Sequence, residues 1–215
     1  DFAISHAAKF RDPAAWYHCV LTWDTDQATA ANRLRFYVNN VEYTVTQSEE
    51  LPSGQVMPQN KNAFNGTTLF AQTDGDGEYD GYIAEFVFID GQQLTPSSFA
   101  EADEDSPTIW KPIDVSGLTF GTNGFYLDFE DSGDLDDDES GEENDFTAVN
   151  LAATDQAVDT PTNNFTTLNN LVPFGTFSEG NTVWGSVASG DGCAFSTIGV
   201  AGGKWYAEVK CTGAQ

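Results

Sequence analysis

Basic residues are scarce in this chain of 215 residues. Eight lysines and arginines stand against 34 aspartates and glutamates, which gives a formal net charge of −26 at pH 7. Such a surface repels the phosphate groups of nucleic acids and of anionic membranes, so neither is an expected partner. The acidity is typical of a protein kept soluble in a crowded extracellular assembly or adapted to salty water. A further interpretation is that some acidic side chains bind Ca²⁺.

Residue types that perform nucleophilic catalysis are also lacking. Only His6 and His18 can act as bases near neutral pH. The sequence contains no Gly-x-Ser-x-Gly elbow and no phosphate-binding glycine loop. No run of 18 apolar residues is present, so no membrane-spanning helix is predicted. We therefore predict a non-enzymatic protein with no catalytic residues and no membrane insertion.

Cysteines are few and widely spaced. Cys19, Cys193 and Cys211 do not form the pattern of a disulfide framework. Cys19 lies in an apolar stretch and is predicted to be a buried thiol. Cys193 and Cys211 flank one β segment, where both a disulfide and two free thiols are consistent with the sequence.

Short runs of aromatic and β-branched residues, separated by turn residues, are abundant and favour β-strands. Residues 15–24, AWYHCVLTWD, alternate in this way. The better core face of this strand carries Tyr17, Cys19, Leu21 and Trp23. Residues 33–38 alternate again, and Asn39-Asn40 is a typical hairpin turn because asparagine tolerates positive φ. We expect residues 41–45 to return as the partner strand.

Further strands are predicted at residues 82–89 and 125–129, and Thr95 and Pro96 are expected to begin a short helical turn. The sequence after residue 150 lacks periodicity and is predicted to be an extended Thr/Asn-rich linker. A second β region is then expected, with strands at residues 183–187, 194–200 and 204–210. The last of these needs neighbours that the sequence does not supply, which indicates a chain that is cut or only partly represented.

Three acidic segments are candidates for binding a cation. Asp74, Asp76 and Asp80 alternate with glycines and a glutamate in a turn that resembles half of a Ca²⁺ loop, but the glutamate at the twelfth position is absent. Residues 134–145, DLDDDESGEEND, and the loop with Asp24 and Asp26 are the others. A hydrated surface loop is the competing interpretation of each segment. No cofactor is required, and Ca²⁺ is the most plausible metal.

The order and spacing of several segments resemble a known family. These segments are FRDPAAWYHCVLTWDTDQATAANRLRFYVNN, YDGYIAEFVFIDGQQLTPSSFAE, WKPIDV and TFGTNGFYLDF. Together they resemble concanavalin A-like (laminin G-like) lectin domains, which recur in tail and other virion proteins of phages. Residues 178–209, SEGNTVWGSVASGDGCAFSTIGVAGGKWYAEV, resemble the start of a SPRY-like β-sandwich.

The resemblance implies an all-β fold in three parts. Residues 1–150 would form an antiparallel jelly-roll β-sandwich that is incomplete at its N-terminus. Residues 151–180 would be the linker, and residues 181–215 the beginning of a second sandwich.

The resemblance also implies a function. The chain would be a non-enzymatic structural or adhesion protein on the surface of a phage virion, as a tail fibre, spike or capsid-surface decoration. Its partners would be other virion subunits, in a homo-oligomer or symmetric assembly, and host-surface glycans. The alternatives are a cellular, extracellular lectin-like adhesin or surface-filament protein, and a glycoside hydrolase on the same fold.

Sugar binding needs exposed aromatic rings beside polar groups. The candidate residues are Trp16, Tyr79, Tyr82 and Trp110, although a sandwich buries most of its aromatic side chains. A hydrolase would need two carboxylates on one strand face, whereas Glu85 and Asp90 are five positions apart and fall on opposite faces. Glu85 is instead expected to cap a backbone group or to pair with Arg33 or Arg35.

Overall fold

The computed structural model describes residues 4–12, 14–55, 68–70, 79, 81–172, 174–185, 192–211 and 213. Throughout these ranges the regular elements are short β-strands and 3₁₀ turns, which confirms the predicted all-β class. The strands pair antiparallel in small separate sheets. The finer arrangement as a jelly roll and the division into domains stay predictions.

Eleven strands lie within the described ranges. They are β1 (Ile4–His6), β2 (Cys19–Trp23), β3 (Leu34–Val38), β4 (Val41–Tyr43), β5 (Val45–Gln47), β6 (Phe86–Phe88), β7 (Ala100–Ala102), β8 (Trp110–Pro112), β9 (Phe125–Leu127), β10 (Thr176–Ser178) and β11 (Val183–Gly185). Strands β2, β3 and β4 form one sheet, and the pairs β1-β5, β6-β9, β7-β8 and β10-β11 form the others. The 3₁₀ turns are Ala30–Asn32, Pro96–Ser98 and Ala153–Asp155.

The predicted hairpin between β3 and β4 is confirmed. Asn39 and Asn40 have φ angles of 47° and 61°, and Val38 lies opposite Val41. The left-handed backbone of both asparagines matches the twist of the two strands. The returning strand ends at Tyr43, however, because after Thr44 the chain forms β5, which pairs with β1.

The predicted core face of β2 is wrong. Val20 and Thr22 are buried, whereas Leu21 is 42% exposed and Cys19 is an exposed free thiol. Leu21 lies opposite Phe36 and shares its face of the sheet, but only Phe36 is covered, by the stacked ring of His6. The other face of β2 is covered instead, where the side-chain amide of Gln93 donates to the Thr22 hydroxyl at 3.2 Å.

Phe125 on β9 is the centre of the aromatic core. It is 2% exposed, and its strand pairs with β6. The rings of Phe86 and Phe88 stack on it with centroid distances of 5.7 and 5.3 Å, and Phe146 meets it edge-on at 4.8 Å. These offset and edge-on arrangements are the geometries that aromatic rings prefer.

The predicted strand at residues 204–210 is also wrong. These residues form no strand, and Trp205, Tyr206 and Val209 are 69%, 85% and 87% exposed. An alternating sequence becomes a strand only where another backbone pairs with it, and the described part of the chain offers none here. Residues 192–200 contribute a single bridge, between Leu168 and Ser196.

Cys193 and Cys211 are free and exposed, so the structure contains the two thiols rather than a disulfide. In the described residues, no helix has both the length and the apolar character needed to cross a membrane.

Candidate functional site

A groove of about 360 Å³ lies where the residues before β2 meet the segment around Asn164. Its polar and aromatic lining is Asp12, Trp16, Tyr17, Asn39, Thr108 and Asn164. A second, smaller depression beside Ala31 and Gln47, of about 260 Å³, has no aromatic side chain among its described lining residues. An aromatic wall with a few polar groups is typical of a ligand site, so the first groove is the candidate.

The first wall of the groove is a turn closed by Asp12. The backbone N–H of Ala14 donates to the Asp12 carboxylate at 2.9 Å, and the N–H of Ala15 donates to the Asp12 carbonyl at 3.3 Å. The Asp12 N–H donates to the hydroxyl oxygen of Tyr17 at 3.2 Å. Because these bonds are local, the turn fixes the position of Trp16 between its two ends.

The opposite wall is the segment from Asp159 to Asn164, which is bonded to this turn. The amide of Asn164 donates to the Ala14 carbonyl at 2.9 Å, although the two residues are 150 positions apart. The carboxylate of Asp159 accepts the N–H of Phe165 at 3.0 Å, and the indole of Trp16 lies close enough to stabilise its charged form. Asp159 therefore interacts both with the Trp16 side chain and with the segment of the far wall.

Burial sets the protonation behaviour of Asp159. It raises the pKa of this carboxyl above its ordinary value, and the hydrogen bond from Phe165 and the nearby indole of Trp16 offset part of that rise.

Asn39 extends the hairpin into the groove. Its side-chain oxygen accepts the N–H of His18 at 2.9 Å, and its own N–H donates to the His18 carbonyl at 2.8 Å. This pair of bonds continues the β2-β3 ladder by one step and holds the chain beside Tyr17 in place. The sequence identified Asn39 as a turn residue only, because the contact that places it in the groove is not a sequence pattern.

Trp110 lies behind the groove rather than in it. Its ring stacks on His18 with a centroid distance of 6.1 Å and an interplanar angle of 14°. Its neighbour Ile109 lines the groove. Burial lowers the pKa of His18, so the imidazole is neutral at pH 7 and packs as an uncharged ring.

The four predicted sugar-binding aromatics are thus separated. Trp16 lines the groove and Trp110 supports it, whereas Tyr79 and Tyr82 are 58% and 42% exposed and are not among the described residues that line it. Tyr79 packs instead near Phe70, with a centroid distance of 6.4 Å. Asn164 and Asp159 were missed, since only a contact across 150 positions brings their segment to the groove.

The predicted calcium ligands Asp74, Asp76 and Asp80 lie outside the described residues. Within the described ranges, no cluster of three or more His, Cys, Asp or Glu side chains is arranged to hold a metal. Asp24, another candidate, accepts the N–H of Asp26 at 3.0 Å and the side-chain amide of Gln27. Its carboxylate therefore shapes its own loop.

The acidic residues 134–145 are organised around Asp138, which is 7% exposed. Its carboxylate accepts the N–H groups of Tyr126, Ser140 and Asn144 at 2.8, 2.9 and 2.9 Å, and the Ser140 hydroxyl at 2.8 Å. The Glu139 N–H donates to the Tyr126 carbonyl at 2.9 Å. The acidic loop therefore takes the place of a partner strand along β9.

Two opposing effects act on the pKa of Asp138. Burial raises it, but the hydrogen bonds that stabilise the charged carboxylate outweigh burial, so the pKa lies below the ordinary value.

The predicted partners of Glu85 are wrong. Its carboxylate accepts a short hydrogen bond from the Tyr126 hydroxyl. Arg33 is 3.4 Å from Glu50 and donates to three backbone carbonyls, and Arg35 is 3.6 Å from Glu42. Burial, with the nearby charges of Asp128 and Glu130, raises the pKa of Glu85 even though the Tyr126 hydroxyl opposes it. The prediction failed because Glu85 has a φ of 55°, which turns it out of the alternating pattern.

Comparisons with known proteins give no relative: no protein-family model, no curated protein and no solved structure matches this chain.

Proposed function

We propose that this chain is a non-enzymatic, lectin-like adhesion module of a phage virion surface, and that it binds glycan in the Trp16 groove. The observation that carries the proposal is an aromatic ring fixed beside uncommitted polar groups. The turn closed by Asp12 fixes the backbone around Trp16, and the indole lies beside the Asp159 carboxylate, so the ring is placed for stacking against a sugar. A ring that is ordered before binding loses little entropy when the ligand arrives.

The polar groups of the groove suit a ligand rich in hydroxyls. Asn39 uses its side-chain oxygen and Asn164 its side-chain amide in the bonds described above. The amide nitrogen of Asn39 and the amide oxygen of Asn164 make no other hydrogen bond within the described residues, and Thr108 adds a hydroxyl. The groove thus offers both donors and acceptors, as the hydroxyls of a sugar require.

A glycan array probed with the full chain tests the proposal. We expect binding to at least one glycan, and a loss of affinity of about 10- to 30-fold in Trp16→Ala, the size of effect typical of a central aromatic residue in an interface. Trp205→Ala is the matched control, because Trp205 is 69% exposed and does not line the groove. Absence of binding to every glycan, or equal losses in both variants, would contradict the proposal.

The same samples separate binding from catalysis. A bound oligosaccharide recovered after prolonged incubation should be intact by mass spectrometry. Release of a shorter product would favour the glycoside hydrolase instead.

Location on a virion rests on the resemblance of the segments between Phe10 and Phe129 to lectin-like domains of phage virion proteins and on the acidity of the chain. Antibodies against the chain should label intact particles in electron microscopy. Labelling of a cell surface or filament in their place would favour the extracellular adhesin. The proposal requires no cofactor. A lower melting temperature with excess chelator would favour bound Ca²⁺, for which Asp74, Asp76 and Asp80 are the candidate ligands.

A further inference from the structure

We propose that the Trp16 groove selects uncharged sugars and rejects sugars that carry a carboxylate or a sulfate. This inference rests on the proposed function and adds the chemical class of the ligand. It is carried by the distribution of charge around the groove.

A carboxylate lines the groove. Asp12 is exposed and uses one of its oxygens to accept the Ala14 N–H. Its second oxygen makes no hydrogen bond within the described residues, so it is available to a ligand hydroxyl. Asp159 adds a second carboxylate beside the indole of Trp16. A hydroxyl can donate to a carboxylate, whereas a uronate or sulfate group meets a like charge there.

No basic side chain among the described residues lines the groove to offset these carboxylates. Arg33, Arg35 and Lys111 are already paired with Glu50, Glu42 and Asp103 elsewhere on the surface. Arg11 precedes Asp12 in the sequence but is exposed and is not part of the lining. The net charge of −26 adds a long-range repulsion that acts on every anionic ligand.

Paired oligosaccharides test the inference with the full chain. For each hexose-terminated glycan that binds on the array, the counterpart with a carboxylate at C6 of the terminal sugar is titrated by isothermal calorimetry. We expect the uronate-terminated member to bind at least about tenfold more weakly, because like charges a few ångströms apart repel by that order near a protein surface. The ratio should shrink in 1 M salt, where the screening length falls to about 3 Å.

Asp12→Asn identifies the source of the selectivity. The asparagine keeps the oxygen that accepts the Ala14 N–H and removes only the charge. We expect the ratio of the two dissociation constants to fall towards one in this variant. Asp26→Asn is the matched control, since Asp26 is exposed, does not line the groove and should leave the ratio unchanged.

The outcomes distinguish the two proposals. Equal or tighter binding of the uronate-terminated glycan would overturn the charge selectivity and leave the glycan site standing. An unchanged ratio in Asp12→Asn would also overturn this inference. If neither member of any pair binds, the glycan site itself fails, and the selectivity fails with it.

Discussion

Aromatic side chains serve different purposes at the Phe125 core and at the Trp16 groove. Phe125 is 2% exposed and is enclosed by three phenylalanine rings, so it has no surface left for a ligand. Trp16 is half-buried, and its indole lies beside the carboxylate of Asp159. The difference teaches that an aromatic ring enclosed by other rings stabilises the fold. A ring that has one edge against a polar side chain and one face open to solvent is suited to binding.

Truncating the core aromatic should have the largest effect on stability. Phe125→Ala is expected to lower the free energy of unfolding by about 3–5 kcal/mol, because it removes a buried ring and leaves a cavity. Urea denaturation followed by circular dichroism measures this change. Phe195→Ala is the control, since Phe195 is 55% exposed and its loss should cost less than about 1 kcal/mol. Equal losses would show that Phe125 is not the centre of the core.

The next largest loss of stability is expected for a substitution in the acidic loop of residues 134–145. Asp138→Ala leaves the N–H groups of Tyr126, Ser140 and Asn144 without their acceptor, and we expect a loss of about 2–4 kcal/mol. Asp134→Ala serves as control, because Asp134 is an exposed acid of the same loop. A loss no greater than that of the control would mean that the acidic run is merely a solvated loop.

Acid should weaken the hydrogen bonds that the Asp138 carboxylate accepts, because protonation removes its charge. The pKa of Asp138 is lower in the folded chain, so its stabilising contribution is complete above the unfolded value near 3.9 and is lost as the pH falls through the folded pKa. The difference in stability between the wild type and Asp138→Asn should therefore be constant from pH 7 to 5 and shrink below pH 4. The slope for one proton is at most about 1.4 kcal/mol per pH unit. A difference that grows on acidification would reverse the assigned direction.

Of the three regions, the groove should contribute least to stability, so replacing Trp16 with alanine should lower the free energy of unfolding less than the changes at Phe125 and Asp138. Trp16→Ala removes a half-buried ring and its contact with Asp159, and we expect a loss of about 1 kcal/mol in the same denaturation experiment. This contrasts with the loss expected at Phe125, although tryptophan is the larger side chain. A loss of about 3 kcal/mol or more would place Trp16 in the core and remove the distinction between the two regions.

Local features of the fold could be predicted from the sequence. The Asn39-Asn40 turn and the Thr95-Pro96 turn follow from the backbone preferences of single residues, and the structure contains both. In β3 the apolar residues of the alternating sequence, Leu34, Phe36 and Val38, are the buried ones. These features depend on neighbours a few positions away, so the sequence contains the information.

Features set by distant contacts could not be predicted. On the buried face of β2, Thr22 accepts a hydrogen bond from Gln93, which is 71 positions away. The alternation in residues 204–210 resembles that of β3, yet the described chain provides no backbone to pair with it. Of the candidate site, Trp16 could be proposed from its residue type. Asp159 and Asn164 could not, because they reach the groove only through the folding of the segment after residue 150.

The indole N–H signals of the five tryptophans provide the most direct test that the Trp16 groove is the binding site. In a ¹⁵N-labelled sample, each signal is assigned by substitution, and the glycan that binds best on the array is then added in steps. We expect the Trp16 signal to shift as the site fills, because Trp16 lines the groove and its indole lies beside Asp159, while the exposed Trp205 signal stays in place. A titration that moves Trp205 and leaves Trp16 unchanged would contradict the account.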